Sequence, residues 1–129
     1  INMYYYCDPD GHTEYVWSRD KDTPVDEGTP YLGEFIFRDI ECTECECMAG
    51  YFDGLVEQPI KKVVLENVSF SFKEDAKPFT PAMLENVRQY CKEGLYLDNV
   101  ESLTLKNVTF DGVEGEEIIN KNCGLIIKD

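Results

Sequence analysis

The sequence predicts an all-β chain wound as a right-handed parallel β-helix of about three coils, with one short helix. Three observations lead there. An eleven-residue template is written three times, at residues 32–42, 60–70 and 100–110. Each copy places apolar side chains at its first, fourth, sixth, ninth and eleventh positions. Each also places Asn or Asp at the eighth: Asp39, Asn67 and Asn107. A repeat that cannot bury its apolar face alone must stack on its copies. β-Branched and aromatic residues dominate the template, as strands prefer. A leucine-rich repeat would instead carry a Leu-x-x-Leu-x-Leu core, which is missing.

The elements follow in order. Residues 1–7 read as a short aromatic strand, with Tyr4 and Tyr6 on one side and Tyr5 on the other. Asp8, Pro9, Asp10 and Gly11 mark a turn. Residues 8–31 form a long loop without periodicity, and loops of that length inside a compact domain are often functional. The first template copy then kinks at Asp39, where the alternation slips, as at a corner between two short strands. The second copy follows a break at Pro59 and continues to Phe72, before a charged loop at 73–78. Thr80 as a hydroxyl cap and Pro81 at a first helical position predict the short helix over 81–90. Met83, Val87 and Cys91 are spaced four apart on one stripe of it. Leu95, Tyr96 and Leu97 make a short strand, and the third copy starts at Val100. A turn spans 113–117. The final segment begins a fourth copy, with Asn122, Leu125, Ile127 and Asp129 at its first, fourth, sixth and eighth places. Twelve additional residues separate the second and third copies, which matches the helical insertion.

The 129 residues suit a single domain over 1–129 with one modest core. Apolar residues make up 43%, including eight Tyr and seven Phe, a globular rather than a disordered composition. The net charge of -14 argues against nucleic acid and against anionic membranes. No apolar run approaches the ~20 residues that span a bilayer. The chain starts at Ile1 within an aromatic stretch and is expected to be a piece of a longer protein.

Several residues invite a functional reading. Asp39, Asn67 and Asn107 would stack at the corner as a structural ladder, since such side chains bond along a stack and tolerate turn backbone. Asn67-Val68-Ser69 and Asn107-Val108-Thr109 also match the glycosylation sequon. Recurrence at one template place favours the ladder. Cys42, Cys45 and Cys47 are spaced like thiolate ligands, and a small Cys-rich metal-binding domain is one reading. No second Cys-x-x-Cys completes four ligands, and Cys42 falls at an apolar template place, so no metal and no cofactor are expected. The even count of six cysteines leaves the redox compartment open. Asp8, Asp10 and Glu14 lack the full calcium-loop pattern. His12 has no nucleophile beside it and reads as a loop residue. Trp17 and Arg19, with Tyr15, combine an aromatic and a cation in the long loop, as suits a sugar face and a uronate carboxylate.

The opening Ile1-Asn2-Met3-Tyr4-Tyr5-Tyr6-Cys7-Asp8 resembles the segment after the catalytic coils of polygalacturonases, glycoside hydrolase family 28. The copies at 64–70 and 103–110 look like that family's C-terminal coils. The resemblance implies a pectin-lyase-like solenoid and maps the chain to the last third of a full enzyme. It implies a parent that hydrolyses α-linked galacturonate in pectin with inversion, secreted, periplasmic or cytoplasmic. The family's Asn-Thr-Asp, Asp-Asp, Gly-His-Gly and Arg-Ile-Lys motifs are absent here, so the chain alone is expected to be inactive. The family's substrate-contacting Tyr falls on Tyr5 counting forward from Ile1, and on Tyr6 counting back from Cys7. The competing expectation is a non-catalytic carbohydrate-binding or adhesive β-solenoid. An exposed N-terminal coil, presenting Tyr4, Tyr5, Tyr6 or Phe35, is expected to drive self-association.

Overall fold

The computed structural model describes residues 1–4, 23–84 and 86–129. Seven strands are present in the described chain: β1 (Glu34–Cys45), β2 (Met48–Asp53), β3 (Lys62–Phe72), β4 (Glu93–Asp98), β5 (Val100–Asp111), β6 (Ile118–Asn120) and β7 (Cys123–Lys128). The odd strands form a four-stranded sheet in the order β1-β3-β5-β7. The even strands form a three-stranded sheet in the order β2-β4-β6. Every pairing within the two sheets is parallel. The described residues are therefore all-β, and the chain passes alternately from one sheet to the other.

The template dictates the register of the larger sheet. Phe35 pairs with Val63 and Val63 with Leu103; the same holds for Phe37, Leu65 and Leu105. Beyond the eighth place Ile40, Val68 and Val108 align, and so do Cys42, Phe70 and Phe110. Like places thus lie on like places. The rings of Phe70 and Phe110 stack at 5.4 Å and 7°. Asp39, Asn67 and Asn107 take φ of 54°, 55° and 51°, the left-handed region. One such residue turns the strand, so the inward set moves from places four and six to nine and eleven. Asn and Asp accept this conformation at less cost than other side chains.

The core lies between the sheets. Phe52, Leu95 and Leu97 of the smaller sheet pack with Val63, Leu65, Leu103 and Leu105 of the larger. Ile60 and Val100, at the first template place, are buried and form a parallel bridge.

Three expectations change. The segment 81–90 is not a helix. Met83 and Asn86 have φ of 62° and 56°, and Phe79 and Tyr90 exchange both backbone hydrogen bonds, at 3.2 and 3.1 Å. Ten residues are too few to hold a helix without tertiary support. Here the tertiary contacts close the segment as a loop that buries Leu84 and Tyr90 and leaves Met83 exposed. The fourth copy is shifted by one residue. Val100 pairs with Cys123, Leu103 with Ile126 and Leu105 with Lys128. A one-residue slip exchanges the faces of a strand, so Ile126 packs on the core while Leu125 and Ile127 are 55% and 43% exposed. Tyr4, expected at an open edge, is only 2% exposed.

Candidate functional site

A second, shorter repeat builds the outer face of the three-stranded sheet. Tyr51-Phe52-Asp53 of β2, followed by Gly54, and Tyr96-Leu97-Asp98 of β4, followed by Asn99, are in register, Tyr51 on Tyr96 and Asp53 on Asp98. Strand alternation sends Phe52 and Leu97 into the core and turns the Tyr and Asp pairs outward. Ile119 of β6 pairs with Tyr96. Beyond β2, Asn2 forms a parallel bridge to Asp53, with Met3 N donating to Asp53 O at 3.0 Å. Residues 1–3 therefore continue this sheet, immediately before Tyr5 and Tyr6.

The two outward tyrosines stack with centroids 4.3 Å apart and planes at 7°. Tyr90 meets both edge to face, at 6.2 and 6.3 Å. The Arg88 guanidinium lies 3.9 Å from the Tyr90 ring centre. It also forks onto Glu93, Nη1 to Oε1 and Nη2 to Oε2, both at 2.7 Å. On the other margin the Lys121 ammonium is 3.0 Å from Asp98 Oδ2. The Tyr96 hydroxyl donates to the same carboxylate oxygen at 3.4 Å. Behind the sheet edge the Tyr4 hydroxyl accepts from Val56 N at 3.3 Å.

Burial pushes the Tyr96 hydroxyl up to about 12, with the Asp98 charge adding to it. Burial likewise raises Tyr4 to about 12. Both phenols are neutral donors and acceptors at ordinary pH. Asp53 and Asp98 are 1% and 4% exposed. The Lys121 ammonium is held against the buried Asp98 carboxylate, so this ion pair ties the end of β6 to β4. This side of the sheet thus carries stacked aromatic rings, phenol hydroxyls and a cation at each margin.

Tyr5, Tyr6, Trp17 and Arg19 lie outside the described residues. Asp39, Asn67 and Asn107 come together on the larger sheet, away from the tyrosine face. Asn67 Nδ2 donates to Asp39 Oδ1 at 2.9 Å, and Asn107 Nδ2 donates to Asn67 Oδ1 at 3.0 Å. Asn122 Nδ2 donates to Asn99 Oδ1 at 2.8 Å, and Asn99 Nδ2 to Gly54 O at 3.1 Å, a second ladder at another corner. Cys42, Cys45, Cys47, Cys91 and Cys123 are free thiols. Burial raises the Cys45 and Cys47 thiols, against thiolate chemistry. Among the described residues no three His, Cys, Asp or Glu side chains are placed to hold a metal ion.

Tyr51, Tyr90, Tyr96, Arg88 and Lys121 were not singled out by the sequence reading. Two of them had a signal. Tyr-apolar-Asp followed by Gly or Asn occurs at 51–54 and again at 96–99, in the gaps between template copies. Comparison with family models, with curated proteins and with solved structures finds no match to this chain.

Proposed function

We propose that the chain forms the C-terminal, non-catalytic coils of a polygalacturonase-like, pectin-active glycoside hydrolase, wound as a right-handed parallel β-helix. Alternation between two parallel sheets supports the winding, and crossovers between parallel strands are right-handed in about 98% of cases. The observation that carries the functional reading is the Tyr51–Tyr96 stack with Arg88 and Lys121 at its margins. Hydroxyls and aromatic rings suit a sugar, and guanidinium suits a uronate carboxylate. The sheet continues into residues 1–3, next to the tyrosines matched by resemblance. Inverting hydrolysis needs two carboxyl groups about 6.5–9.5 Å apart with water between them. Buried Asp53 and Asp98, 1% and 4% exposed, do not fit that role.

A second reading has its own observation. Arg88 and Lys121 are both already ion-paired, which favours a non-catalytic module for neutral saccharides. Calorimetric titration with trigalacturonate and with a neutral trisaccharide separates the two. The first reading expects preference for trigalacturonate, about fivefold weaker binding by Tyr51→Ala (an aromatic contact being worth about 1 kcal/mol), and no hydrolysis. Preference for the neutral sugar selects the second reading. Binding of neither, by a chain that melts cooperatively, overturns both.

A further inference from the structure

We propose that Arg88 reads a ligand carboxylate on the tyrosine face, and that Glu93 is its resident competitor. The inference rests on the saccharide-binding reading above. Two guanidinium nitrogens engage the two Glu93 oxygens at 2.7 Å each. That fork is the geometry a uronate carboxylate would take, and lysine cannot reproduce it. The two partners differ in access. The Arg88 side chain is 56% exposed and the Glu93 side chain 15%. Glu93 is fixed on β4, its backbone N bonded to Cys47 O at 3.1 Å. A solute therefore meets the guanidinium first.

Arg88 is also aimed without Glu93. Its Nη1 donates to Gln89 O at 3.0 Å, and the cation rests over Tyr90. Tyr90 in turn touches both stacked tyrosines. A carboxylate bound there would lie beside a sugar ring held at the stack. The other cation is less exchangeable. Removing Lys121 from Asp98 would leave a carboxylate only 6% exposed without its cation, held among the described residues by the Tyr96 hydroxyl alone at 3.4 Å, a costly arrangement. Competition from Glu93 makes the site selective: a neutral sugar has no means to open the pair, and a uronate does.

The test is titration of the full chain with trigalacturonate and with its methyl-esterified form, using Glu93→Gln, Arg88→Lys and Tyr51→Ala. Glu93→Gln is expected to tighten trigalacturonate up to about fivefold, the scale of a partly exposed ion pair, and to leave the ester unchanged. Arg88→Lys keeps the charge and loses the fork, so it should erase the preference for acid over ester. Unchanged or weaker acid binding by Glu93→Gln, with the preference intact in Arg88→Lys, overturns the proposal. If Tyr51→Ala still weakens both sugars in that case, the saccharide-binding reading survives. Absence of binding to wild type and every variant overturns both. Should Glu93→Gln fail to melt cooperatively, the Arg88→Lys preference decides alone.

Discussion

Asn67 shows how one residue joins backbone and side-chain physics. Its amide donates to Asp39 and accepts from Asn107, while its backbone holds φ at 55°. Asn67→Ala loses the ladder bonds and places a Cβ-bearing residue without local compensation in the left-handed region. The first loss is about 1 kcal/mol and the second about 1–2 kcal/mol. Asn67→Gly loses only the first. Urea denaturation should therefore rank wild type above Asn67→Gly, and Asn67→Gly above Asn67→Ala. The reverse order for the two variants would remove backbone strain from the account. The same geometry weighs against the sequons, because the nitrogen a glycan would take on Asn67 or Asn107 is the ladder donor.

At the scale of the element, register decides which residues matter. In β7 Ile126 faces inward and packs against the core between exposed Leu125 and Ile127. Ile126→Ala is expected to cost about 1–2 kcal/mol, below the range for a fully buried isoleucine. Leu125→Ala and Ile127→Ala should each stay within about 0.5 kcal/mol. Thermal melts of the three variants check this, and a larger loss at Leu125 would restore the unshifted register. Segment 81–90 teaches the complementary lesson. Its cap, its proline and its four-residue spacing are genuine helix signals. They are outweighed where the paired backbones of Phe79 and Tyr90 close the segment as a loop.

The whole molecule has two unlike ends. At one, β1 is twelve residues long, and no described residue pairs with its outer edge. A cavity of about 180 Å³ opens there between Phe37, Ile40, Cys42 and Phe52 of the outermost strands and Leu65, Val68 and Phe70 of the next. At the other end β6 has three residues, and β7 sets Lys128 at an inward place opposite Leu105. Short strands and inward charges blunt an edge. Association is therefore expected through the β1 end, at Ile36 and the Phe37 cavity, with Tyr4 buried and uninvolved. The net charge of -14 opposes it, so light scattering should report a mass that rises with salt. Ile36→Lys should lower that mass. A monomer at all salt concentrations would count against this edge.

The sequence by itself determined the strands β1, β3 and β5, their mutual register and the Asp39–Asn67–Asn107 column. These follow from a period-2 pattern with one slip, which each copy carries locally and which stacking repeats. Tertiary structure decided the loop at 81–90, the β7 register and the tyrosine face. Tyr51 and Tyr96 meet only because the chain between them traverses the larger sheet and returns one strand over. Arg88 and Tyr90 reach them from the 81–90 excursion, whose helical spacing gives no sign of that contact. Contacts across such distances depend on how the chain passes between the two sheets, and no local pattern of residues encodes that passage.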